Sequence, residues 1–272
     1  MADLADLYAG ALKAYPNEKK NHPPKLSRDK AHLLTLSMAL CMNLLVDAAS
    51  HAMQYRAKSS TNKEPFTGDT SMANEEQILQ AVAKHGLSKR WLLSLIESRE
   101  DHLENKQFTT LQDVEDYSEK SNSVLYYLIL QILGIKNIHA DHVGSHLGKA
   151  EGIVRLIRGV PHLGSKRIVL LPRDVMMQHK VSQEDVIRGI RDERMKGAVF
   201  DIACVAKTHI EHVKALMKDV PPAARIGLLP EVTISSYLRF LQNSDFDVFD
   251  SSLQKRNHLL PLHLWWAKVR KT

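Results

Sequence analysis

The chain has 272 residues, 44% hydrophobic and 25% charged, the balance of a folded globule rather than of a disordered chain. Aromatics at 6%, with 12 Gly and 10 Pro, are too few for a turn-dense β-sandwich or barrel. A net charge of +6 permits an acidic surface or partner, but no Lys/Arg run is dense enough to argue for nucleic acid.

Residues 1–74 read as an atypical N-terminal segment. Met1 to Ala14 has the pattern of a short amphipathic helix, Leu33 to Tyr55 that of a buried one, and Ala57 to Ala73 is a Ser/Thr/Lys-rich linker in which Pro65 and Gly68 block regular structure. Its most apolar stretch, Leu33 to Val46, is shorter than the roughly 20 residues a bilayer span needs. Asp3 and Asp6 in the first turn, and no arginine before Arg28, do not resemble a transit peptide, so no import signal is visible and a cytoplasmic form stays open.

From residue 75 the pattern becomes helical. Asn74 caps one helix that Gly86 ends, and Ser88 caps the next, with Trp91, Leu92, Leu95 and Ile96 on its apolar face. Leu111 to Leu133 forms a helix terminated by Gly134, and Ala140 to Arg158 another, with Pro161 and Gly164 expected to break it. Ser182 opens a short helix. Lys196 to Met217 is long and amphipathic, with Val199, Ile202, Ala203, Ala206, Ile210, Val213 and Met217 as its stripe, and Pro221-Pro222 stops it. Helices near Ala223–Leu229 and Ile234–Gln242 precede a tail from Leu259 to Lys271. No strand alternation longer than four residues and no repeat of fixed period is present, so the fold class is expected to be all-α. Cys41 and Cys204 cannot build a disulfide framework or a thiolate metal site; both sit in apolar contexts and are expected to be buried thiols.

The densest polar cluster is His139-Ala140-Asp141-His142 through His146. Histidines at i, i+3 and i+7 share a helix face and resemble metal ligands, but a distant fourth ligand of zinc spacing is missing, and a solvated helix start explains them better. The paired carboxylates, Glu184-Asp185 and Asp192-Glu193 among them, fall at helix starts, where they favour the positive helix end. No P-loop, G-x-S-x-G or H-E-x-x-H occurs. No metal site and no cofactor is expected.

Leu147-Gly148-Lys149-Ala150 through Arg158, followed by Leu171-Pro172-Arg173-Asp174, resembles the squalene/phytoene synthase family segment L-G-x-A-x-Q-L-T-N-I-L-R-D-x-x-x-D with its later Y-L-P-x-D. Arg99 to Asp101, Phe108 to Tyr117, Val181 to Asp185 and Leu229-Pro230 extend the resemblance across about residues 75–260. It implies an isoprenoid-synthase-type helical bundle in residues 75–272, with the N-terminal part atypical or incomplete. It also implies that two aspartate clusters would hold Mg²⁺ against diphosphate. At the second of these, Arg158 is kept but Gly159 and Leu163 stand at the aspartate positions, no Asp or Glu lies between Glu151 and Asp174, and residues 1–74 contain no D-x-x-x-D. The degenerate positions Gly159 and Leu163 are expected to face the former cleft, with Arg158, Lys166 and Arg167 leaving it basic enough for an anionic head group.

Gly86 to Leu92, Leu133 to Lys136, His139 to Ala150 and Asp245 to Leu262 resemble a mitochondrial branch of the same family, one of complex I assembly factors. That resemblance implies a non-catalytic protein on the matrix side of the mitochondrial inner membrane, with complex I subunits or early assembly intermediates as partners. The alternative is a prenyl transferase condensing allylic diphosphates. In the tail, Trp265 and Trp266 beside Lys268 and Arg270 are expected to give membrane contact at the lipid interface.

Overall fold

The computed structural model describes residues 85–100, 107–255 and 257–271, and the expectations for residues 1–74 and the helix capped by Asn74 lie outside them. Every regular element among the described residues is helical. In chain order they are α1 (Lys89–Glu100), α2 (Leu111–Ser118), a π-helical turn (Glu119–Ser123), α3 (Val124–Ile132), α4 (Ile138–Ser165), α5 (Arg173–Gln178), α6 (Gln183–Ile187), α7 (Glu193–Leu216), α8 (Pro222–Arg225), α9 (Pro230–Asn243) and α10 (Leu260–Lys271).

The centre is the pair α4 and α7. Asn137 starts α4 by accepting a hydrogen bond from the Ala140 N–H at 3.0 Å, and Asp192 starts α7 by accepting one from Met195. Val143, Leu147, Ala150, Ile153, Ile157 and Val160, spaced by three and four, put one apolar stripe along α4. It packs with Met195, Val199, Ile202, Ala206, Ile210 and Val213 of α7 in one continuous core. Each buried Val, Leu or Ile there contributes about 1.5–3 kcal/mol relative to exposure.

A second face of α4 is built from glycine. Gly144, Gly148 and Gly152 recur every four residues, and the α2–π–α3 segment lies against them. A Cβ at Gly148 would stand 2.3 Å from the Ser123 backbone nitrogen, and one at Gly152 would stand 2.1 Å from Ser118 Oγ. Only the absence of side chains permits that approach. Leu111 to Ile132 therefore runs as one helical path, as the periodicity predicts, but with a π-turn at its closest contact with α4.

Two expectations fail. Pro161 and Gly164 do not break the helix, because α4 continues to Ser165. A proline four residues from the end removes one helical hydrogen bond, and the buried Val160 and Gly164 hold the last turn on the core. The helix closes on Arg167, which adopts φ 60°: its N–H bonds Gly164 O, and the Ile168 N–H bonds Leu163 O, both at 2.9 Å. Cys204 is exposed rather than buried, since it falls beside the α7 stripe and not on it.

Candidate functional site

The sequence-predicted residues occupy three places. Gly159 and Leu163 sit one turn apart near the end of α4. A Cβ on Gly159 would meet Leu163 Cδ1 at 3.3 Å, so the leucine side chain lies alongside the glycine backbone. Hydrogen and hydrocarbon offer Mg²⁺ no oxygen, so these two positions do not fit a metal–diphosphate cluster. The nearest acid upstream on α4, Glu151, accepts from the Tyr126 hydroxyl at 2.6 Å and pairs with Arg155.

The three cations do not converge. Arg158 places its guanidinium 5.5 Å from the ring centre of Tyr237 on α9, whose hydroxyl is pushed up to about 12 by burial, opposed by the Arg158 charge. Lys166 lies eight residues further on, about 12 Å along the helix axis. Arg167 is exposed and turned to Glu184 at 3.8 Å.

The histidine cluster divides. His139, Asp141 and His142 are exposed on α4, whereas His146 turns inward to α7. There His146 Nδ1 lies 2.9 Å from His209 Nδ1, and His209 Nε2 lies 2.7 Å from Glu115 Oε1 on α2. The His212 ring stacks on His146 at 4.9 Å and 18°. Desolvation lowers His146 to about 4, helped by His209, His212, Lys149 and His142. Desolvation also lowers His209, although Glu115 opposes it. With both rings neutral, assignment of the protons follows from the partners: His209 donates through Nε2–H to the carboxylate, and His146 donates through Nδ1–H to His209. Two nitrogens in direct hydrogen bond leave no room for an ion between them, and among the described residues no group of three or more His, Cys, Asp or Glu is arranged to hold a metal. The chain crosses three helices and locks them together. Sequence reasoning missed it; the available signal was His209, a polar residue on the apolar stripe of α7.

The tail forms α10, whose surface divides sharply. Leu260, Leu264 and Ala267 turn partly inward, and the helix packs on α9. Leu259, Leu262, Trp265, Trp266 and Val269 are all more than half exposed, between 53% and 61%. At 100° per residue they span an arc of about 120°. The side chains of Lys268 and Arg270 lie outside the described ones. No helix among the described residues is long and apolar enough to cross a membrane.

Comparison with known proteins supplies the rest. The profile of the squalene/phytoene synthase family matches residues 41–265, which extends upstream of the motifs beginning near residue 75. The chain is 43% identical over 196 residues to "NADH dehydrogenase (ubiquinone) complex I, assembly factor 6" of Homo sapiens, covering 72% of this chain and 59% of that protein. The Mus musculus protein of the same name is 44% identical over 195 residues, with the same two coverages. A homolog in Drosophila melanogaster is 34% identical over 194 residues, 71% of this chain and 58% of the fly protein. The chain thus spans about six-tenths of the length of the curated relatives it matches. Among solved structures it is similar to a squalene synthase from Alicyclobacillus acidocaldarius, with TM-score 0.61 and 18% identity over 79% of this chain and 85% of that one. It is also similar to a dehydrosqualene synthase determined with a ligand, with TM-score 0.67 and 14% identity over 89% and 87%. At such identities the structural likeness concerns the fold alone.

Proposed function

The chain belongs to the squalene/phytoene synthase family, and from that premise we propose that it serves as a non-catalytic assembly factor for mitochondrial complex I, acting early on the membrane-arm subunits. The observation that carries this reading is the 43–44% identity to proteins named as complex I assembly factor 6 across 72% of the chain. Gly159 and Leu163 support its non-catalytic side. A carboxylate pair at that turn would hold Mg²⁺ and draw the diphosphate away from the allylic carbon, and neither residue can do so. Family membership alone does not argue for condensation, because one fold hosts unrelated functions.

The location in this reading is the mitochondrion, on the matrix side of the inner membrane. The exposed arc of α10 supports peripheral contact. Tryptophan favours the head-group region, and Lys268, Arg270 and Lys271 follow in the sequence, each contributing about 1 kcal/mol near an anionic surface. The helix has twelve residues and would lie in the interface rather than cross it.

Affinity capture of the tagged full chain from mitochondria after mild crosslinking tests the reading. Enrichment of complex I membrane-arm subunits is expected. Capture without any complex I subunit, together with turnover of farnesyl or geranylgeranyl diphosphate in the presence of Mg²⁺, would overturn it in favour of prenyl transfer.

A further inference from the structure

We propose that the groove between α7 and α9 binds one amphipathic anion, an acyl chain ending in a phosphate group. The groove encloses about 660 Å³, within the range of roughly 300–1,000 Å³ usual for small-molecule sites. Its wall is apolar, with Phe200 and Ala203 from α7, Val232 and Leu238 from α9, and Phe246, over the fully buried Ile210. The Phe200 and Phe246 rings meet edge to face at 4.9 Å, yet Phe200 remains 45% exposed, so a large apolar surface is left for an occupant.

Three of the four charged lining residues are cations, beside the polar Ser235, Ser236, Gln242 and His263. Lys207, Lys214 and Arg239 border the groove against one carboxylate, Glu231, which is buried and accepts a hydrogen bond from Ser235 at 2.9 Å. Lys207 and Lys214 both reach Glu211, at 2.9 and 3.6 Å. Arg239 is exposed and makes no ion pair among the described residues, so its planar fork of donors is available to a phosphate. A neutral lipid would leave that cation unused, and free phosphate would leave the apolar wall uncovered. One carboxylate is too few to hold a divalent cation. None of Arg158, Gly159, Leu163, Lys166 and Arg167 lines this groove, so the site is separate from the degenerate turn of α4. The proposal does not depend on a role in complex I assembly.

Cys204 lines the groove and gives a direct readout. The full chain is treated with maleimide, and modification of Cys204 is followed by mass spectrometry. Three additions are compared: palmitoyl lysophosphatidic acid below its micelle concentration, palmitoyl lysophosphatidylcholine, and glycerol phosphate. Lysophosphatidic acid should slow modification at least about fivefold and saturate; Arg239→Gln should raise the half-saturating concentration about tenfold, with Arg239→Lys in between. Arg239 is exposed, so melting temperatures should stay within about 2 °C of the unsubstituted chain. Absence of protection overturns the site. Equal protection by the choline lipid with no effect of Arg239→Gln means apolar adsorption, and equal protection by glycerol phosphate means a simple phosphate site; either result also overturns it.

Discussion

Helices α7 and α10 are both amphipathic, with apolar residues spaced by three and four, yet they use those residues in opposite ways. On α7 the stripe from Met195 to Val213 is buried against α4, and Ile202, Ala206, Ile210 and Val213 are fully excluded from solvent. On α10 the larger side chains, including Trp265 and Trp266, face outward, while smaller contacts hold the helix on α9. Spacing predicts that a helix forms and which residues share a face; it does not say whether that face turns inward. The inward face has a partner in the chain. The outward one keeps its large apolar side chains more than half exposed.

The contrast breaks most visibly where α4 approaches the backbone of the π-helical turn. Gly148→Ala would drive a methyl group into the Ser123 backbone at 2.3 Å, which cannot rotate away as a side-chain end could. About 3 kcal/mol or more should be lost, read as a fall of many degrees in the melting temperature or no cooperative transition. Ile202→Ala, which leaves a cavity rather than a clash, should cost about 2–5 kcal/mol by urea unfolding. Loss below about 1 kcal/mol for Ile202→Ala would mean that the α4–α7 interface is not the stabilising centre, and the same result for Gly148→Ala would remove the contact of α4 with the π-helical turn from the account.

Acid comes next in size. His146 is lowered to about 4, so below about 6.5 the unfolded chain takes up a proton that the folded chain refuses until about pH 4. Stability should therefore fall as pH drops from 6.5 to 4, and the lowered His209 adds in the same direction. Because His146 is only partly buried, about 1–2 kcal/mol is expected rather than the full shift. His146→Gln should flatten this part of the pH–stability curve, measured by urea unfolding at each pH; an unchanged slope would remove His146 from the account.

The smallest stability effect is expected on α10. Trp265→Ser with Trp266→Ser should change stability by less than about 0.5 kcal/mol while lowering flotation with cardiolipin-containing vesicles several-fold. If binding holds and the melting temperature falls instead, the outer face of α10 belongs to the core and the contrast with α7 disappears.

Much of the fold was legible because it is local. Ser182 caps its own helix within three residues, as its sequence context shows, and the α7 stripe is visible from periodicity alone. What depends on contacts between distant segments was not legible. His146 meets His209 across 63 positions and His209 meets Glu115 across 94, so local spacing grouped His146 with His139 and His142 instead. Pro161 misled because a proline rule for helix interiors weakens in the last turns, where packing of Val160 and a left-handed Arg167 decide the end. Gly159 and Leu163 carry no signal of their own. They stand out only against the aspartates of the family pattern, which is a comparison and not a physical property of this chain.

The assembly role is tested most directly by removing the gene from cells and resolving the respiratory complexes on native gels. The account predicts that assembled complex I falls sharply, that the other complexes remain, and that the returned wild-type chain restores it. Unchanged complex I in cells lacking the chain would contradict the account.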